Sequence, residues 1–487
     1  MNGKNELAEP NTATSSRMHH EGRNVEALPP TKWLMLRRNH ILAFLIVFVV
    51  LTGLWDFSTS ERLGLMLLIQ PEMQPQTKAM SKANEASSPK TSSATYTVPT
   101  TAHKKPLPIW MQDYVKFYHS QLNVSAAGEI TLKPNAKYLQ WSCRRSRGCG
   151  GIGDRLNGIV QGLYMAICTD RVLLVDWASP TPLTALQPAL LPWNVRQNVA
   201  PASIIRTVDN HKSPYLLDPT QLPIDQGLVL WNNLWRDTKG SFVRNTTCLE
   251  KYWSEHGGLD ATTQIYQTAF WTLFQWSPII VQHTENLKRR AGLSQTPSLR
   301  TRPYIGVHVR TGKGASWDDP VRHSGESDLR QFYQCARVLQ QGIHEICPPL
   351  GSGKKSLQLL NVYVASDNLQ AKETLQQWDM EDLRRRNDTN PVTRAFHFAS
   401  NLEVMHIDRS TPDRMQDPAA AELDAWAELS TLIDAVCLVT SRSQFSNIPM
   451  WVSTHQPRCS VRFDHCSAED VAIALQVLKD NGCPSYE

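Results

Sequence analysis

The stretch YIGVHVRTGKGASWDD gathers three side chains suited to holding a multiply charged anion. A strand ending in H-V-R sends His308 and Arg310 to the same side, because strand side chains alternate with period two. Gly312 and Gly314 then open the loop, and Lys313 adds a second cation. An arginine fork beside a lysine meets the needs of a departing diphosphate: bidentate hydrogen bonds, and neutralisation of charge as it develops. The plainer reading is a strand-end arginine in a surface salt bridge. Asp318 and Asp319 follow closely and are candidates to take a proton. No D-x-D occurs, so a metal-bridged diphosphate is not indicated and no metal is expected.

A second glycine-rich stretch, GCGGIG from Gly148 to Gly153, matches the dinucleotide fingerprint in its letters, with Asp176 lying 23 residues beyond. That fingerprint needs a strand directly before the first glycine. Here WSCRRSR intervenes, and the only strand-like run, YLQW, ends too early. The glycines are therefore read as a tight turn into a helix, able to approach a substrate or hold an anion. Asp154 follows directly. The third stretch is AELDAWAELSTLIDAVCLVTSRSQFSNIPMW, a helix, a strand and a loop with Ser441, Arg442, Ser443 and Gln444. Its serines and the next helix start are suited to phosphate oxygens. Glu428 is suited to accept hydrogen bonds from a guanine edge, although helix carboxylates are mostly solvated.

These residues need a scaffold that brings loops together. DRLNGIVQGLYMAICTD puts Leu156, Ile159, Val160, Leu163 and Ile167 on one helical stripe, after a short amphipathic helix in PLPIWMQDYVKFYHSQ. RVLLVDW and GLVLW read as strands. TTQIYQTAFWTLFQWSPIIVQHTENLKRRAG reads as a long helical stretch interrupted at Pro278 and ending near Gly292. From YIGVHVR the alternation resumes, with NVYVASD, EVMHID and VCLVTS as strands and helices between them. Alternating strands and helices predict an α/β protein, two Rossmann-like domains each with a parallel sheet, 106–300 and 301–487.

With 487 residues, 41% hydrophobic content and 15 tryptophans, the chain can fill two such cores. The net charge of +5 gives no nucleic-acid signal, and the basic runs RRSRG and KKP suit a small anion equally well. Ile41 to Trp55 is uncharged for 15 residues, about 22 Å as a helix and short of the usual ~20 residues. Flanking Arg37, Arg38, Trp33 and Trp55 extend its reach to the interfaces. Basic residues precede it and Asp56 and Glu61 follow, so the positive-inside rule leaves the N-terminus in the cytosol. The expectation is a single-pass type II membrane protein: tail 1–40, transmembrane anchor 41–57, Pro/Ser/Thr-rich stem 58–105, luminal body. All ten cysteines lie at position 143 or beyond, where disulfides form. Cys143/Cys149, Cys335/Cys347 and Cys459/Cys466 are the close pairs able to close local loops. Cys168 and Cys437 fall in apolar runs as buried thiols or distant partners. Sequons at Asn123, Asn245 and Asn387 fit luminal exposure.

In this order and spacing the stretches resemble the GDP-fucose-dependent fucosyltransferase superfamily. It includes the eukaryotic α1,6-fucosyltransferase, the bacterial nodulation fucosyltransferase, plant xyloglucan α1,2-fucosyltransferases and protein O-fucosyltransferases. YIGVHVRTGKG is similar to its H-x-R strand and loop, VYVASDN to the strand that follows, and AWAELSTLIDAVCLVTSRSQFS to its last motif. GGIGDRLNGI with RVLLVDW resembles its opening turn, helix and strand. The resemblance covers roughly residues 140–465 in patches. It implies the GT-B arrangement, the two Rossmann-like domains facing a cleft, and a Golgi location. Carried over by position, it implies Arg310 on the β-phosphate with His308 and Lys313 in support. Asp367 then lies near the donor, Glu428 on the guanine and Ser443 on phosphate. Thr311 departs from the second arginine of the α1,6 enzymes, and Asp154 from the asparagine of some relatives, which leaves acceptor and linkage open.

The resemblance implies inverting transfer of L-fucose from GDP-β-L-fucose to a glycan hydroxyl, with no cofactor or metal. Asp318 is the first candidate base and Asp154 the second, and some relatives work without one. The alternatives are a glycosyltransferase using another nucleotide sugar, an inactive type II glycan-binding protein, and, least favoured, a dehydrogenase.

Overall fold

A computed structural model of the chain describes residues 107–143, 150–178, 183–195, 205–209, 227–231, 261–294, 303–312, 323, 325–347, 360–385, 395–398, 418–453, 459–480 and 482–483. All of them belong to the second of the two units into which the chain divides, Thr91–Glu487. The expected tail, anchor and stem, the strand EVMHID, and Asn245 and Asn387 lie outside the described residues.

In the first half of this unit, helix α1 (Ile109–Ser120) leads into a small hairpin, β1 (Leu122–Val124) and β2 (Ile130–Leu132). Next come β3 (Tyr138–Cys143), α2 (Ile152–Cys168), β4 (Val172–Trp177), β5 (Leu186–Pro188), β6 (Ile205–Asp209) and β7 (Gly227–Trp231). Helix α3 (Ala261–Leu273), β8 (Phe274–Trp276) and α4 (Pro278–Arg290) follow. Strands β4-β3-β7-β6 form one sheet, parallel throughout. The expected interruption at Pro278 is larger than a kink. Proline cannot donate into a preceding helical turn, so it starts α4, and Phe274–Trp276 becomes a strand pairing antiparallel with β5.

The second half runs through β9 (Tyr304–Val309), α5 (Glu326–Ile346), β10 (Asn361–Ser366), α6 (Leu369–Arg385) and β11 (Phe396–His397). It continues with α7 (Pro418–Asp434), β12 (Cys437–Thr440), α8 (Gln444–Val452), β13 (Cys459–Arg462) and α9 (Ala468–Asp480). Its five strands are ordered β11-β10-β9-β12-β13, again all parallel. Every residue of β9 is buried, which explains why YIGVHV reads as a continuous apolar run and not as an alternating one. The chain builds outward from β9 to β10 and β11, then returns to add β12 on the other flank. That reversal opens a crevice outside the carboxyl ends of β9 and β12, the place where open α/β sheets bind ligands.

Helices α7 and α8 join the two halves. Trp426, Leu429, Ile448 and Val452 belong to the same apolar cluster as Trp141, Leu156 and Phe270. Trp141, Trp177, Trp426 and Trp276 form a run of neighbouring rings with centroids 5.8–6.3 Å apart. Each such contact adds about 0.5–1.5 kcal/mol to the area it buries.

Three disulfides pair Cys335 with Cys466, Cys347 with Cys483, and Cys437 with Cys459. Cys143 and Cys168 are also oxidised. The expected local pairs Cys335/Cys347 and Cys459/Cys466 do not form. Helix α5 sets Cys335 and Cys347 about 18 Å apart at 1.5 Å per residue, far beyond disulfide reach. Cys459 opens β13 and is bonded to Cys437, while Cys466 lies past the end of that strand and is bonded to Cys335. Cys437 is bonded to its direct cross-strand neighbour and is no thiol.

Candidate functional site

Strand β9 stops at Val309 and delivers Arg310 to the crevice. Its Nη1 donates to Asp367 Oδ2 at 2.7 Å, while 15% of the arginine side chain stays open to solvent. Asp367, just past the end of β10, also accepts from Thr311 N at 2.8 Å, Thr311 Oγ1 at 3.0 Å and Gly312 N at 3.0 Å. Four bonds from three consecutive residues fill the acceptor capacity of one carboxylate. Burial raises the Asp367 pKa, but the Arg310 guanidinium and the Thr311 bonds outweigh it and hold the carboxyl below its usual range. Asp367, expected near a donor, is 5% exposed and is the clamp that shapes the arginine loop.

His308 takes a different path from the one expected. Its Nδ1 lies 2.5 Å from Ser446 Oγ and 3.2 Å from Ser441 Oγ, and its ring packs on Phe445 at 5.0 Å. Burial lowers its pKa to about 3, so the imidazole is neutral and adds no positive charge beside Arg310. It instead pins the start of α8 to β9, a bond continued by Ser441 N donating to His308 O at 3.1 Å. The unfolded chain takes up this proton near pH 6.5, and the folded one only near 3. Stability contributed by neutral His308 is therefore whole above pH 6.5 and declines as pH falls toward 3, by at most about 1.4 kcal/mol per pH unit. Between pH 6.5 and 4.5 the melting temperature should fall more steeply for the native protein than for His308→Gln. Parallel curves would remove His308 as the source.

The loop after β12 ends in Ser443, whose Oγ accepts from Phe445 N at 3.2 Å as the N-cap of α8. The amino end of α8 meets that of α2. A Cβ placed on Gly153 would lie 2.4 Å from the Gln444 carbonyl carbon and 2.6 Å from Phe445 N. Two helix amino ends, each a partial positive charge, thus abut next to the crevice. The far end of α8 is bonded to α3, through Trp271 Nε1 to Val452 O at 3.0 Å and Gln267 Nε2 to Ser453 O at 2.6 Å. GCGGIG therefore ends in a seam between the two halves. Asp154, a candidate base, accepts from Gly151 N at 3.0 Å through Oδ2 and caps α2. Arg155, which sequence reasoning passed over, is 1% exposed; its Nε donates to Gly150 O at 2.9 Å and its guanidinium stands 4.8 Å over Trp177. It fixes the turn at Gly150, whose φ of 72° suits glycine.

Glu428 is neither solvated nor open to a base edge. It is 2% exposed and bonded to Lys372 Nζ at 2.6 Å, tying α7 to the first turn of α6. Burial raises its pKa, opposed by Lys372. In this structure the carboxylate expected on a guanine belongs to a buried ion pair. Beyond the carboxyl end of β12, Arg442 and Arg462 share Asp464, at 2.6 and 2.9 Å. Burial raises the Asp464 pKa, and the two arginines bring it below its usual value. Lys372 carries no sequence signal, because its partner Glu428 lies 56 residues away in the chain. Lys313, Asp318 and Asp319 lie outside the described residues. Asn123, on β1, is exposed. Among the described residues no cluster of His, Cys, Asp and Glu is arranged to hold a metal ion.

No family model and no curated protein matches the chain. Solved structures similar to it include a mutant of FUT1 from Arabidopsis thaliana in complex with GDP, at 16% identity, covering 71% of this chain and 73% of that one with a TM-score of 0.42. Fucosyltransferase NodZ from Bradyrhizobium is similar at 14% identity over 65% of this chain and 93% of its own, TM-score 0.38. POFUT1 in complex with GDP-fucose is similar at 16% identity over 68% and 98%, TM-score 0.33.

Proposed function

We propose that the chain is a Golgi type II membrane fucosyltransferase of GT-B arrangement. It transfers L-fucose from GDP-β-L-fucose to a glycan hydroxyl with inversion and without a metal. The carrying observation is the Arg310–Asp367 clamp at the switch point of a parallel sheet, beside the capped amino end of α8. Such a crevice presents a guanidinium and helix-end amides to a diphosphate. The resemblance of the H-V-R strand and the T-S-R-S loop to fucosyltransferase motifs supplies the sugar.

In the proposed reaction the acceptor oxygen attacks the anomeric carbon while its bond to the β-phosphate oxygen breaks. Negative charge grows on the departing GDP, and Arg310, with Lys313 from the same loop, neutralises it. Asp318 takes the hydroxyl proton; Asp154 is the second candidate, with Oδ2 turned to the turn amide. Residues 106–300 and 301–487 serve as acceptor-side and donor domains, behind the anchor 41–57 and stem 58–105.

The test is thermal melting of the purified full-length protein with GDP, GDP-fucose or UDP. At a hundredfold excess over Kd a ligand stabilises by about 2.7 kcal/mol, so GDP and GDP-fucose should raise the melting temperature clearly and UDP should not. A shift with UDP alone rejects fucose as the donor sugar. The same preparation reports topology. Luminal placement puts an endoglycosidase-sensitive glycan on Asn123, and an unmodified Asn123 in protein from a eukaryotic host argues against it.

A further inference from the structure

A second cavity, of about 370 Å³, lies between α5 and α6. Its volume falls within the ~300–1,000 Å³ typical of small-molecule sites. Its walls are two helical stripes: Arg330, Tyr333 and Arg337 on α5, facing Trp378, Asp382 and Arg385 on α6. None of these residues belongs to the carboxyl-edge loops that carry Arg310.

Tyr333 and Trp378, 5% and 9% exposed, meet edge to face at 6.0 Å and form an aromatic floor. Arg337 is structural, being bonded to buried Asp379, to Gln340 Oε1 at 2.8 Å and to Tyr333 OH at 3.1 Å. The other two arginines are held loosely, by exposed carboxylates and ring contacts. Arg330 stacks on Trp378 at 4.2 Å and, among the described residues, pairs only with exposed Glu326, at 3.1 Å. Arg385, 76% exposed, stands 3.7 Å from Asp382, whose other oxygen accepts from Tyr333 OH at 2.6 Å. Surface pairs of this kind contribute little, so both guanidinium groups can exchange them for a ligand.

We propose that this groove binds an acidic saccharide, a hydroxyl-bearing ring with a carboxylate. The carboxylate is taken by the arginine forks, Arg330 leaving the face of Trp378 so that the ring's apolar face takes its place over the Tyr333–Trp378 floor, and Glu381 and Asp382 accept from hydroxyls. Each alternative leaves part of the groove unused. An inorganic anion ignores the floor and meets Glu381, a neutral sugar leaves both arginines unmatched, and an acidic peptide offers the two carboxylates no hydroxyls.

The test titrates the full-length protein with a glucuronic acid-containing disaccharide, its neutral glucose counterpart and inorganic sulfate, following tryptophan fluorescence. No nucleotide sugar is present, so the outcome is separate from that of the donor reading. The acidic disaccharide should bind at least about tenfold more tightly than either control, a difference of 1.4 kcal/mol. The Arg330→Ala/Arg385→Ala variant, altered only at exposed positions, should lose that margin, and Trp378→Phe should lose the fluorescence change. Sulfate binding as tightly, unchanged affinity in the double variant, or no response at millimolar disaccharide would each overturn the assignment.

Discussion

Replacing Arg310 by alanine is expected to lower kcat/KM for fucose transfer from GDP-fucose by roughly 10³-fold, the scale on which single preorganised donors act on developing negative charge. The reason lies in how firmly the loop is built. Asp367 holds Arg310, Thr311 and Gly312 together through four hydrogen bonds, so the guanidinium is in place before charge develops and needs no reorganisation. Lysine at this position should restore little, because a point charge on a flexible stem cannot replace a planar fork. The fold should survive the alanine change, since Asp367 keeps the three donors of Thr311 and Gly312. An intact melting profile with lost turnover is thus the expected pair of results. Transfer at the native rate would remove Arg310 from the reaction and, with it, the proposed activity.

Gly153→Ala is expected to destabilise the protein by at least about 2 kcal/mol, on the scale of overpacking a filled interior, and to lower activity. Its new methyl group would stand 2.4 Å from the backbone of Gln444, which cannot rotate away as a side chain would. Either α2 or α8 must shift, and α8 carries the Ser443 cap and the contact to His308. Gly162, about two and a half turns further along the same helix, is the internal control. There the nearest atom to a new Cβ is 3.5 Å away, and removing a helical glycine gains about 0.8–1 kcal/mol in helix propensity. Gly162→Ala should therefore melt at or above the native temperature while Gly153→Ala melts well below it. Equal melting curves would mean that the seam between α2 and α8 is looser than its geometry.

The α/β alternation was legible because parallel strands buried on both faces leave continuous apolar runs, as in RVLLVDW and YIGVHV. What escaped was set by partners far along the chain. Asp367 clamps backbone amides 55 and 56 residues away, and amides leave no mark in a sequence. Glu428 reads as an ordinary helix carboxylate until Lys372 arrives across α6. The period-two rule placed His308 and Arg310 together, yet Arg310 lies past the last strand residue, where the rule no longer applies. His308 is instead turned onto α8. GCGGIG was read correctly as a turn into a helix, but its need for glycine comes from α8, nearly three hundred residues downstream.

The disulfides of α5 impose an order of events on a chain made from its amino end. Cys335 and Cys347 leave the ribosome 131 and 136 residues ahead of Cys466 and Cys483, and for that interval their nearest available thiols are each other. The helix that separates them is therefore a guard as well as a scaffold element: once coiled, it keeps the two sulfurs apart until their partners have been synthesised. Native cross-linking of α5 can finish only after Cys483 has been made.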